Sequence, residues 1–175
     1  LFLSHAARLV FAGSMLPLAR PALAALPNAR SLDFDHTHTG ERVSVVFAVG
    51  HHYVPESLGT LNNFLRDHYS GEVGRIDPQL FELLYRARQE LGSDQPFQVI
   101  SGYRCATTNS RLRNARGGGV ARQSLHMEGR AIDIRIPGVA LSDLRDAAMS
   151  LQAGGVGFYP RDKFVHVDTG KVRYW

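Results

Sequence analysis

The chain has 175 residues, 44% hydrophobic and 21% charged, with a formal net charge of +4. That length and balance suit one globular domain and exclude a disordered tail protein. No apolar run approaches the roughly 20 residues that cross a bilayer, and a single cysteine excludes an intrachain disulfide framework or a cysteine-built zinc cage. Mild basicity is compatible with nucleic acid, anionic lipid or a carboxylate-rich bacterial wall. The densest basic stretch, Arg104 to Arg122, is interleaved with Gly, Asn and Thr and holds no aromatic residue, so a nucleic-acid partner is not expected.

Residues 1–26 contain no acidic residue. The apolar stretch Leu9 to Ala19, followed by Ala22-Leu-Ala24, has the pattern of a secretory h-region with its cleavage site. We therefore expect a signal over residues 1–24, a linker over 25–30, an exported protein and a folded domain over 31–175. An amphipathic N-terminal helix is the alternative for the first segment.

Along the remainder, Ser31 to His36 and Glu41 to Phe47 alternate or are β-branched around the turn cluster Thr37-His-Thr-Gly40, which predicts a hairpin. Leu58, Leu61, Phe64 and Leu65 recur at helical spacing over 55–68. Asp77-Pro78 opens a helix with the stripe Leu80, Phe81, Leu84, Ala87 and Leu91, closed by Gly92. Phe97 to Ile100 reads as a short strand, and 107–122 as one helical turn and a loop. Ala131 to Ile136 alternates as a strand, and 141–151 is an amphipathic helix with Ser142 as N-cap. Three closely spaced strands follow, at 155–159, 164–168 and 172–175. The expected fold is α+β, a small antiparallel sheet with helices on one side. No stripe suggests dimerisation, so a monomer is expected.

Chemistry concentrates in Ser124-Leu-His-Met-Glu-Gly-Arg-Ala-Ile-Asp133 and Phe164-Val-His-Val-Asp168. On a continuous helix His126 and Asp133 would lie about 10.5 Å apart along the axis, and on one straight strand they would face opposite ways. They can meet only if the chain bends between them, and Gly129 can supply the bend. His166 and Asp168 share a strand face while Val165 and Val167 point inward. His36, His38, His51, His52 and His68 read as turn or surface residues. Ser101 and Ser124 lack the elbow of a serine hydrolase.

Ser101-Gly-Tyr-Arg104, Ser124-x-His126-x-x-Gly129-x-Ala131-x-Asp133, Gly154-Gly-Val-Gly-Phe-Tyr159 and Phe164-Val-His-Val-Asp-Thr-Gly170, with Arg173 and Trp175, resemble a zinc peptidase family. Leu65-Arg-Asp-His68 and Ile76-Asp77 extend the match upstream. The family is the murein endopeptidase K-like branch of the D-Ala-D-Ala carboxypeptidase superfamily, and the resemblance covers about Arg30 to Trp175. It implies the α+β fold shared with the Hedgehog signalling domain and a periplasmic hydrolase acting on peptidoglycan stem peptides. It further implies Zn2+ held by His126, Asp133 and His166, with Arg104 facing the substrate carbonyl.

Other superfamily members place a Glu three residues before the last ligand, or a His two before it. Lys163 and Phe164 stand at those positions here. Asp168 is the candidate base, or alternatively a carboxylate that orients a ligand histidine. Glu128 and Asp162 are fallbacks. Asn109 and Ser124 are candidate substrate contacts, and Cys105 is expected as a buried thiol. The expected activity is cleavage of peptide cross-links. Carboxypeptidase trimming of stem peptides and an inactive zinc- and murein-binding module are the alternatives.

Overall fold

The computed structural model of the chain describes residues 26–115 and 121–175. The signal expected over residues 1–24 lies outside them. The first hairpin pairs β1 (Ala29–His36) with β2 (Arg42–Val49), and β3 (His52–Tyr53) extends it. Two helices follow, α1 (Pro55–Phe64) and α2 (Pro78–Leu91). Then come β4 (Phe97–Ser101), α3 (Ala106–Ala115), a 3-10 turn (Leu125–Glu128) and β5 (Ala131–Arg135). The chain continues through α4 (Leu141–Ser150), β6 (Gly155–Tyr159), β7 (Phe164–Asp168) and β8 (Arg173–Tyr174).

The eight strands among the described residues form one sheet in the order β3-β2-β1-β4-β5-β7-β6-β8. The fold is α+β, as expected, but the sheet is mixed rather than wholly antiparallel. β1 and β4 run parallel because α1 and α2 carry the chain back between them. β8 also runs parallel to β6, because β7 intervenes between them in the chain and pairs with the other edge of β6.

The core lies where helices meet the sheet. Leu61 and Phe64 of α1, Leu80, Phe81 and Leu84 of α2, and Leu144 of α4 pack with Phe34, Phe97, Ile132, Ile134, Val165 and Val167. Burying each such side chain contributes about 1.5–3 kcal/mol. Val165 and Val167 are wholly buried, which leaves His166 on the opposite face of β7. Among the described residues no helix is long and apolar enough to cross a membrane.

Several local expectations change. Ala29 and Arg30, read as the end of a linker, already pair with Val49 and Ala48. Arg30 is anchored there by Glu82, 2.7 Å away, and by the Gly50 carbonyl. The region after Arg104 forms the ten-residue helix α3 rather than one turn. Ser142 is not the cap of α4; Ala140 holds that position and Ser142 bonds Asp143 instead. His36 is buried, because the turn that follows it folds back so that the backbone N–H groups of His38 and Thr39 point to its Nδ1.

Candidate active site

The bend between His126 and Asp133 is built from a short turn and one glycine. Gly129 closes the 3-10 turn at φ +66°, in the left-handed region. A Cβ there would lie 1.9 Å from the Arg75 carbonyl oxygen, so both the dihedral and the space require glycine. The Asp77 N–H donates to the Gly129 carbonyl, and the Asp77 side chain accepts from Thr169 Oγ1 at 2.7 Å. One residue thus ties the start of α2 to the turn on one side and to the end of β7 on the other.

After the bend, sheet register does the rest. Asp133 on β5 stands directly opposite His166 on β7. His126 Nε2 lies 3.3 Å from Asp133 Oδ1 and 3.3 Å from His166 Nδ1, and His166 Nδ1 lies 2.9 Å from Asp133 Oδ1. The three atoms form the one group among the described residues with the spacing of a metal site.

The outer nitrogens fix what the inner ones present. His126 Nδ1 lies 2.7 Å from the Gly102 carbonyl, which only accepts, so this nitrogen carries the hydrogen. His166 Nε2 lies 3.0 Å from Asp168 Oδ2 and donates to it. In the neutral rings the inward nitrogens are then the lone-pair atoms, beside a carboxylate oxygen. Three electron pairs meeting at these distances require a shared cation, a proton or a metal ion.

The charges fit that reading. Burial alone would raise the Asp133 carboxyl, but His126 and His166 hold it far below the ordinary range. Burial holds His126 below its usual value, against the pull of Asp133. Burial would also lower His166, yet its hydrogen bonds to Asp133 and Asp168 outweigh that and raise it to about 9. The donor set of two imidazoles and one carboxylate, each ring fixed by a backbone carbonyl or a second carboxylate, suits zinc.

Arg104 is also buried beside the cluster. Its guanidinium donates to Ser101 Oγ at 3.1 Å and lies 3.6 Å from Asp133 Oδ2. It lines a cleft of about 440 Å³ that also holds the three clustered side chains, Ser124 and a group of aromatic residues.

Two candidate roles meet a different geometry. Asp168 is wholly buried behind His166, and its carboxylate accepts from His166, Arg173 and the N–H groups of Gly155 and Gly170. It faces the far side of the ring and does not line the cleft. Asn109 is buried too, donating to the Ala121 carbonyl at 3.1 Å, and it touches the cleft only through Ala121. Glu128 pairs with Arg130, and neither Glu128 nor Asp162 lines the cleft. Cys105 is buried against Thr108.

Tyr159, Arg173 and Trp175 belong to the sequence motifs but have no role assigned from sequence alone. All three line the cleft beside His166. The signal that could have found them is Gly155-Val-Gly157, a strand with both alternate positions left bare.

The buried His/Asp/His cluster at the head of the cleft, with Arg104 beside it, is the donor set that a metal-dependent hydrolase needs. The chain belongs to the M15_2 peptidase family, whose model is described as Peptidoglycan L,D-endopeptidase MepK and matches residues 24–175. It is 49% identical over 160 residues to the Peptidoglycan L,D-endopeptidase MepK of Escherichia coli K12, covering 90% of this chain and 87% of that protein. It is 42% identical over 163 residues to a Haemophilus influenzae protein named "Probable peptidoglycan L,D-endopeptidase MepK", covering 93% and 87%.

Proposed function

We propose that this chain is an exported, zinc-dependent endopeptidase that cleaves peptide cross-links in peptidoglycan. His126 Nε2, Asp133 Oδ1 and His166 Nδ1 would hold the ion. The observation that carries this is the convergence of three lone-pair atoms within 3.3 Å, with both outer ring nitrogens committed as donors. Membership of a peptidase family and the names of the relatives supply the substrate class.

Zinc held there would supply Lewis acidity toward a carbonyl and toward water. The chain's own residues do the remaining work. Arg104, permanently charged, stabilises negative charge as it develops on the carbonyl oxygen. The Gly102 carbonyl and the Asp168 carboxylate fix the two rings and their tautomers. We therefore assign Asp168 the orienting role rather than the base role, since its oxygens are already engaged behind the ring. Ser124 lies on the cleft rim, where it contacts the substrate peptide. Asn109 acts at one remove, by fixing Ala121. The protein acts as a monomer and reaches the periplasm through a signal within residues 1–24.

The test pairs metal analysis with a muropeptide digest of the chain and its His166→Ala variant. One zinc per chain and cleavage of cross-linked dimers are expected, both lost in the variant. Shortening of monomers without splitting of dimers would mean a carboxypeptidase. Zinc without any cleavage would mean a binding module.

A further inference from the structure

The site continues across the sheet beyond the three clustered side chains. Asp133, His166 and Gly157 stand opposite one another on β5, β7 and β6. On β8, Tyr174 pairs with Val156, so the next residue, Trp175, falls on Gly157. A Cβ at position 157 would lie 2.7–2.8 Å from three indole atoms. One step along, Arg173 pairs with Gly155, where a Cβ would lie 2.5 Å from both Arg173 Nη1 and Asp168 Oδ2. The two glycines of Gly155-Val-Gly157 thus leave a bare floor on β6. The large side chains of β8 lie down on it against those of β7.

The indole is held from several sides although half of it is exposed. Its Nε1 donates to Tyr159 Oη at 2.7 Å. The Arg173 guanidinium sits 4.9 Å from the ring centroid and grips both oxygens of Asp168, so the Trp175 platform is tied to the residue that orients His166. The indole and His166 ring centroids are 5.4 Å apart, and both rings line the cleft. A large aromatic surface that is fixed yet exposed beside a reaction centre adds little to the core and is suited to contact with a ligand. Arg173 spends its charge on Asp168, so what the indole offers is apolar.

We propose that Trp175 is a specificity-determining wall of the cleft, packing against the aliphatic part of the substrate residue next to the scissile bond. This rests on the peptidase reading above. Gly157 is the seat of that wall, and Arg173 and Tyr159 are positioning residues that hold it.

Trp175 is the sole tryptophan of the chain, so its emission reports the cleft directly. The experiment uses the full zinc-loaded chain in two ways. First, an uncross-linked disaccharide-tetrapeptide is titrated while tryptophan emission is followed; a saturable change is expected, and a flat titration overturns the proposal. Second, dimer cleavage is measured in Trp175→Ala, Trp175→Phe, Gly157→Ala and the Gly157→Ala/Trp175→Ala double variant.

Trp175→Ala should raise KM about tenfold with kcat changed far less and zinc content unchanged, and Trp175→Phe should recover most of the loss. Gly157→Ala should raise KM in the parent yet add nothing in the Trp175→Ala background. An unchanged KM in Trp175→Ala, or an equal Gly157→Ala penalty in both backgrounds, overturns the proposal. If the parent cleaves no muropeptide, the peptidase reading fails instead, and the emission titration alone decides whether Trp175 contacts a peptide.

Discussion

Asp168 Oδ2 sits 3.0 Å from His166 Nε2, on the opposite edge of the ring from Asp133, which meets Nδ1 at 2.9 Å. The imidazole is gripped at both nitrogens by carboxylates that play different parts. Asp133 belongs to the proposed metal-binding cluster, whereas Asp168 meets the ring from behind, where it would fix the tautomer. Asp168→Ala should therefore lower zinc affinity by roughly 10- to 100-fold. Asp168→Asn retains an acceptor for Nε2 but loses the charge that Arg173 pairs with, so its loss should be smaller. Competition with a chromogenic chelator measures both. Equal affinities in parent and Asp168→Ala would remove the orienting role.

Gly129 is the hinge on which the approach of His126 to Asp133 depends. An alanine there meets the Arg75 carbonyl at 1.9 Å and must hold φ near +66°. Gly129→Ala should destabilise the fold by on the order of 3 kcal/mol, read from urea unfolding. It should also weaken zinc binding, because His126 and Asp133 lie on either side of the displaced turn. Gly40 offers the control. It too has positive φ, but a Cβ there has open space, so Gly40→Ala should cost only the dihedral strain, about 1 kcal/mol.

The His126–Gly129–Asp133 bend was legible because its logic is local: neither a helix nor a straight strand brings those two residues together, and one glycine lies between them. The i, i+2 relation of His166 and Asp168 was legible in the same way. The edge of the ring that Asp168 occupies was not, since it follows from how β6 and β8 flank the strand. The full length of helix α3 was not legible, because only Thr108 and Asn109 are buried along it, leaving no apolar stripe to read. Its first turn is docked through polar contact, with the Cys105 N–H donating to the buried Asp67 carboxylate. His36 looked like a turn residue because its sequence neighbours are polar. Its burial comes from distant packing, with Phe64 at the end of α1 and His68 beyond it.

That buried histidine sets a pH dependence. Burial first, then the neighbouring His68 and His38, lowers His36 to about 4 from its ordinary 6.5. The folded state therefore keeps it neutral while the unfolded chain takes up a proton below about pH 6.5. Stability from this group is complete above that pH and is lost as pH falls toward 4, by about 2 kcal/mol at pH 5. His68 is lowered too, and adds in the same direction. His36→Asn keeps an acceptor for the His38 and Thr39 N–H groups but cannot titrate. Urea midpoints at pH 7.5 and 5.0 should diverge less in the variant than in the parent. Identical pH slopes would show that His36 is not the linked group.

Arg104 separates charge stabilisation from metal holding. It touches the cluster through Asp133 Oδ2 at 3.6 Å but supplies no ligand atom. Arg104→Gln should leave zinc stoichiometry intact and reduce kcat by about 10²- to 10³-fold, the loss typical of removing one donor from a developing oxyanion. KM should change little, because the interaction strengthens only as charge appears. Arg104→Lys should recover only part of the rate, since a compact ammonium cannot reach Ser101 Oγ and the cleft with one planar fork. A KM effect with kcat preserved would instead make Arg104 a ground-state binder of the peptide. Loss of zinc in Arg104→Gln would place its contribution in the electrostatics of Asp133 rather than in the reaction.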